Sequence, residues 1–245
     1  MMRRVSTRLG ELDCQVLDAM AEGAGPELAV VLCHGFGAPA TDLVPLAGEL
    51  VELAPELAPK VRFVFPAAPL SLAQMGMPSA RAWFNLPQEV LMGQKRNWDQ
   101  FALSVPEGLA QARRGLMSTL SALSAATKLP YDRIVLGGFS QGGMVTTDVA
   151  LRLEEAPAGL CILSGALICQ EEWKQRAERR KGLPVLQGHG RQDDILAFAQ
   201  AERLRDLLTD AGLSVEFIAF DGPHTLAPRE LERMAAFLHA RLAKR

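Results

Sequence analysis

The sequence predicts an α/β fold, a mostly parallel, doubly wound sheet with helices on both faces. Three observations predict it. Short apolar runs recur along the chain, most of them without hydrophobic–polar alternation, as in strands buried on both faces. Longer stretches with apolar residues three or four apart lie between them, as in amphipathic helices. The two kinds alternate in order, the pattern of parallel strands joined by helical crossovers. A chain of 245 residues suits one domain of this class, spanning 1–245.

Two stretches around Gly10, Val5–Leu9 and Leu12–Asp18, read as a leading hairpin. Leu28–Cys33 is the first buried run, and Val61–Phe65 the second, stopped by Pro66. Arg133–Leu136 leads into Gly137 and Gly138, Leu160–Leu163 ends at Ser164-Gly165, and Val185–Gln187 ends at Gly188. Val215–Phe220 alternates and stops at Asp221-Gly222-Pro223. Helices are expected over Asp42–Leu57, Ser104–Thr127, Gln141–Leu153, Leu196–Ala211 and from Pro228 to the C-terminus. Gly212 is a C-terminal stop, since glycine accepts the left-handed conformation that ends many helices. The segment from about 70 to 105 breaks the alternation. It is rich in proline, yet it carries Met75, Met77, Trp83, Phe84, Leu91, Met92 and Trp98. It is too aromatic for a solvated linker and reads as an excursion over the functional face.

A net charge of −2 argues against a nucleic-acid partner, which selects for a basic excess. No run reaches the 18 or so apolar residues that span a bilayer, so stable membrane insertion is not expected. Arg3 and Arg4 are not followed by the apolar stretch of a signal peptide. Cys14, Cys33, Cys161 and Cys169 form no C-x-x-C pair and read as reduced thiols of a cytoplasmic protein. Neither a monomer nor a homodimer is favoured.

Gly138-Phe139-Ser140-Gln141-Gly142 matches G-x-S-x-G between a strand and a helix, the context that gives this motif its meaning. A serine on that sharp turn projects its hydroxyl from the sheet end, and glycines two residues either side avoid collision with neighbouring backbone. Ser140 is therefore the candidate nucleophile. A serine hydroxyl needs a base. Of the four histidines, His224 lies in a loop past the last strand, where this architecture places chemistry. His239 sits within the last helix, and His34 and His189 precede glycines at strand ends, where they orient loops. An acid between serine and histidine in chain order would hold the imidazole. Asp193 and Asp194 both follow the strand Val185–Gln187, and Asp221 is a further candidate. Asp148 is placed poorly, two turns into the helix after Ser140. The Gln141 N–H, at the helix N-terminus, is one oxyanion donor. His34-Gly35-Phe36-Gly37 supplies the other, with the Phe36 N–H as candidate.

With these motifs the chain resembles the phospholipase/carboxylesterase family, which includes acyl-protein thioesterases and small bacterial carboxylesterases and has the α/β-hydrolase fold. The resemblance runs from about Ala29 to Leu238. It is carried by Leu32-Cys33-His34-Gly35-Phe36-Gly37, Phe65-Pro66-Ala67-Ala68-Pro69, Arg81-Ala82-Trp83-Phe84-Asn85, Gly137-Gly138-Phe139-Ser140-Gln141-Gly142-Gly143, His189-Gly190 with Asp193, and His224. It implies Asp193 rather than Asp194 as the acid, with Phe36 and Gln141 as oxyanion donors. Departures fall at Asn85, where an acid is usual, and at Asp194, where proline commonly stands. The stretch 87–101 looks longer than in compact members.

The chemistry so implied is two-step acyl transfer to water, with no metal and no cofactor. The substrate is a small-molecule ester or thioester of small to medium acyl length, or alternatively the long acyl chain of a lysophospholipid or acylated protein. Leu70, Leu72, Met75, Met77, Leu86, Leu91 and Met92 could line an acyl site, since ligand pockets are mostly apolar. Trp83 reads either as an anchor of the loop or as a substrate contact. It is kept with Leu72, Met75 and Met77 among the substrate-binding candidates. A non-catalytic binding protein on this scaffold would typically have lost a triad member or an elbow glycine, and all are present.

Overall fold

The computed structural model describes residues 2–87 and 98–244. Ten strands are present among them: β1 (Arg3–Leu9), β2 (Leu12–Asp18), β3 (Leu28–Cys33), β4 (Val61–Pro66), β5 (Leu70–Ser71), β6 (Arg81–Ala82), β7 (Ile134–Phe139), β8 (Gly159–Leu163), β9 (Pro184–Gly190) and β10 (Ser214–Phe220). The helices are α1 (Pro45–Leu53), α2 (Trp98–Leu103), α3 (Leu109–Thr127), α4 (Gln141–Arg152), α5 (Gln170–Ala177), α6 (Phe198–Asp210) and α7 (Pro228–Ala243). Eight strands form one sheet in the order β1-β2-β4-β3-β7-β8-β9-β10. From β4 to β10 all neighbours are parallel, and the β1–β2 hairpin adds antiparallel to β4. This is the mostly parallel, doubly wound sheet that the alternation predicts and the α/β-hydrolase fold that the family resemblance implies.

The unbroken apolar run of β3 follows from its place. Ala29, Val31 and Cys33 face one core, while Leu28, Val30 and Leu32 face the other. Successive side chains of a strand point to opposite faces, so a strand with helices on both sides needs apolar residues throughout. The first core is closed by α3, α4, α5 and α6, the second by α1 and α7. From β3 the chain winds first to β4 on one side, then to β7 on the other. Ligands bind outside the carboxyl ends of strands at such a reversal, and the loops after β3 and β7 are those that carry Phe36 and Ser140.

Two helix expectations differ from the structure, and one helix was unforeseen. The helix expected over Asp42–Leu57 is α1, ending at Leu53, with Pro55–Leu57 forming a separate 3-10 turn. Pro55 keeps the preceding Ala54 out of the helical region, at φ −142°, ψ 81°. The helix expected from Ser104 begins at Leu109, because Pro106 and the left-handed Gly108 (φ 91°) interrupt it. Helix α5 was not anticipated. Only Trp173 and Ala177 are buried in it, a stripe of two residues. The excursion at 70–105 holds the small β5–β6 ribbon and α2. Leu91 and Met92 lie outside the described residues.

Candidate active site

Strand β7 runs into α4 through one residue, Ser140, whose backbone sits at φ 55°, ψ −120°. A positive φ on a side-chain-bearing residue costs of order 1–3 kcal/mol and survives only where surroundings impose it. Here they do. The Ser140 N–H donates to the Leu163 carbonyl at 2.8 Å. Helix α4 presses against β3 so closely that a Cβ on Gly142 would lie 1.9 Å from the Cys33 carbonyl oxygen, and one on Gly138 2.6 Å from it. Both elbow glycines are therefore required by close approach. The Gln141 N–H, first in α4, has no intrahelical acceptor.

His224, between β10 and α7, packs its ring on Phe139 with centroids 4.8 Å apart, one residue before Ser140. Its Nδ1 lies 2.6 Å from Asp193 Oδ2. Asp193 is buried, and its Oδ1 accepts the N–H groups of Ile195 at 2.9 Å and Leu196 at 2.7 Å. Burial pushes its carboxyl up, but the bonds from His189, His224 and Leu196 outweigh that and hold it well below the usual carboxylate range. The other acids lie apart. Asp194 is exposed, and Asp221 faces Arg191 at 3.7 Å. Asp148 is buried in a separate network with Arg113, Arg152 and the Trp173 indole. His239 pairs with Glu56 on the surface. The two loops that bring Asp193 and His224 together are stitched to each other. The Arg191 N–H donates to the Phe220 carbonyl, and the Gln192 N–H to that of Gly222. A Cβ on Gly190 would fall 2.3 Å from Gly222 O.

The loop after β3 reaches the elbow at Gly35, where a Cβ would lie 3.5 Å from Ser140 Cβ. Nearly every polar group of this loop is engaged. The buried His34 ring accepts the Ala68 N–H at Nε2, 3.2 Å, which leaves Nδ1 to donate to the Gly35 carbonyl at 2.8 Å. Burial pulls the His34 pKa down from its ordinary value, against the Gly35 bond that favours its charged form. The His34 carbonyl accepts the Trp83 indole N–H at 2.9 Å, and Gly37 and Ala38 pair with Arg81. The Phe36 N–H has no partner among the described residues.

The substrate-binding candidates separate in space. Trp83 is fully buried, with no surface to offer a ligand. Its backbone N–H donates to Gln141 Oε1 at 2.8 Å, while Gln141 Nε2 donates to the Phe84 carbonyl at 2.7 Å. Of the two readings of Trp83, its burial and bonds support the anchor between excursion, elbow and β3 loop. Leu72 is also buried, packed with Ala80 and Ala82 against Phe36, Leu70 and Met77. Met77 is half-buried and Met75 is 59% exposed. The Gln141 side-chain clamp and the role of Arg81, whose guanidinium donates to the Ala68 and Pro69 carbonyls, were not anticipated. The sequence signal was the string Arg81–Asn85, one of the motifs that carry the family resemblance.

Comparison with known proteins gives the family. The family model described as Phospholipase/Carboxylesterase matches residues 19–242. The acyl-protein thioesterase 1 of Mycosarcoma maydis is 29% identical over 232 residues, covering 88% of this chain and 92% of the relative. That of Eremothecium gossypii is 29% identical over 220 residues, covering 87% and 88%. The crystal structure of esterase PE8 superposes with a TM-score of 0.79 at 28% identity, covering 94% of this chain and 99% of the other. Among the described residues no helix is long and apolar enough to cross a membrane. The chain belongs to the phospholipase/carboxylesterase family of α/β hydrolases and is a serine hydrolase of the carboxylesterase/thioesterase type.

Proposed function

We propose that this enzyme hydrolyses small to medium acyl esters or thioesters through Ser140, His224 and Asp193, by way of an acyl-enzyme. The observation that carries this reading is the 2.6 Å contact between His224 Nδ1 and Asp193 Oδ2, made by a histidine whose ring rests on the residue before Ser140. An Asp193 carboxylate accepting from Nδ1 leaves Nε2 unprotonated and able to take the serine proton. Ser140 then attacks the acyl carbonyl. The oxyanion is received by the N–H groups of Phe36 and Gln141, each such donor being worth roughly 2.7–4 kcal/mol of barrier. His224 protonates the leaving alcohol or thiol, then activates the water that releases the acid. Leu72 supports the loop floor, and Met75 and Met77 supply apolar surface towards the acyl chain. A cytoplasmic location accords with four buried, unpaired cysteines.

A second reading is a lysophospholipase or acyl-protein thioesterase acting on long chains. The named relatives favour it, as do the exposed Met75, Leu103 and Val105 on the excursion. One experiment separates the two: p-nitrophenyl esters and matching thioesters from C2 to C16, with wild type and Ser140→Ala. A maximum at C2–C6 is expected, and a maximum at C12–C16 would establish the second reading. Hydrolysis surviving in folded Ser140→Ala would overturn both.

A further inference from the structure

The base is not the only imidazole on Asp193. His189 is the penultimate residue of β9 and is completely buried. Gln187, two residues earlier, donates to the Ala201 carbonyl of α6. The period of two along a strand directs His189 to the same face, where its ring meets the edge of Phe198 at 6.1 Å. Its Nε2 lies 2.8 Å from the Leu196 carbonyl and 3.1 Å from Asp193 Oδ2. Both neighbours are acceptors only, so Nε2 carries the proton and shares it between them. His189 Nδ1 has no partner among the described residues.

We infer that His189 is a positioning residue for the hydrolysis, a second imidazole donor on the carboxylate oxygen that orients the base; the inference rests on the Ser140–His224–Asp193 reading above. Asp193 accepts three hydrogen bonds, from the Ile195 and Leu196 N–H groups on Oδ1 and from His224 Nδ1–H on Oδ2, and a fourth donor, His189 Nε2–H, stands 3.1 Å from the same Oδ2. Four donors from three directions of the fold leave the carboxylate no free rotation, and His224 inherits its aim from that carboxylate. The second donor also draws negative charge from Oδ2.

A strand-end histidine could instead serve only to hold the 191–196 loop through the Leu196 carbonyl. The two roles differ in what they do to the base. Without the His189 donor, Oδ2 becomes a stronger acceptor, His224 holds its proton to higher pH, and the acidic limb of kcat/KM moves up. Loss of a loop anchor alone leaves that limb in place. The groups facing this cluster are His189 of β9, His224 after β10, Glu230 of α7, whose carboxyl feels His189, and the Arg191–Asp221 pair at the rim.

The experiment compares wild type, His189→Leu and His189→Gln, with steady-state kinetics on a p-nitrophenyl ester from pH 5 to 9. Folding is checked by near-UV circular dichroism. Fluorophosphonate labelling of wild-type Ser140 comes first, because failure there refutes the triad reading itself. With labelling intact, His189→Leu is expected to lower kcat about tenfold or more, the order for a lost bond to a buried charge, with KM within twofold. Its acidic limb should rise by about half a pH unit or more, and His189→Gln, which keeps an amide donor at that reach, should restore both. Wild-type kinetics in folded His189→Leu, or a fall in kcat with an unmoved limb, would overturn the inference. Should His189→Leu fail to fold, ¹⁵N-histidine NMR on the wild type decides. The expected spectrum shows His189 protonated at Nε2 and shifted in Asp193→Asn; a proton at Nδ1 or an unshifted resonance refutes the role.

Discussion

At the ends of β3 and β7 the site is held by close approach and by bonds between neutral groups. Gly138 and Gly142 leave no room for a methyl group beside the Cys33 carbonyl, and the His34 ring bonds two backbone amides in one neutral tautomer. At the ends of β9 and β10 it is held by charge: a buried carboxylate, two imidazoles and, behind them on α7, the buried Glu230. In the mechanism we propose, the first half fixes where the nucleophile and oxyanion sit and should respond weakly to pH. The second fixes which groups carry protons and should respond strongly. A chain that holds a strained serine therefore does so with sterics, which do not titrate, and gathers its buried ionisable groups at the ends of β9 and β10.

The sharpest way to break this contrast is Gly142→Ala. A methyl group 1.9 Å from a backbone oxygen has no flexible neighbour to displace, so the variant should lose the fold, read as loss of soluble protein or of a cooperative thermal transition at any pH. Asp193→Asn should do the reverse, keeping the fold near neutrality but lowering kcat by about 10³–10⁴, the effect of fixing the wrong histidine tautomer. Because the wild-type carboxyl is held low, its contribution to stability is present above the ordinary carboxylate range and fades as pH falls through its native value. Acid titrations of wild type and variant should therefore converge only at strongly acidic pH.

His34→Leu removes the donor on the Gly35 carbonyl, whose peptide partner is the Phe36 N–H. We expect a fall in kcat of about tenfold, the scale of one lost buried hydrogen bond, with the limbs of the pH profile unmoved. A shifted limb would show that this half of the site also works through charge.

The smallest effect on activity is expected at Glu230. Burial pushes its carboxyl from 4.5 to about 7, opposed by the Ala227 N–H and by His189. A carboxyl raised in the native state is stabilising only while protonated. The wild type should thus lose stability between about pH 4.5 and 7, on the order of 3 kcal/mol. Glu230→Gln keeps an acceptor for Ala227 and cannot ionise. Its Tm should exceed that of wild type by several degrees at pH 8 and by little at pH 5, with activity retained. Equal gaps at both pH values would remove Glu230 from the charged half.

Much of this was legible along the chain because it is local. The runs at 28–33 and 134–138 are apolar throughout because two cores bury them, and that requirement is written residue by residue. G-x-S-x-G is legible for the same reason, since its glycines answer to a turn of five residues. The order of Ser140, Asp193 and His224 named the candidates, and family resemblance narrowed Asp193 from Asp194. Tertiary structure alone decided the rest. Trp83 became an anchor because its partners, His34 and Gln141, lie 49 and 58 positions away. Asp193 met His189 as well as His224 because a loop folds back on its own strand. Burial, partner and protonation are properties of a three-dimensional neighbourhood, and no pattern along one strand or helix records them.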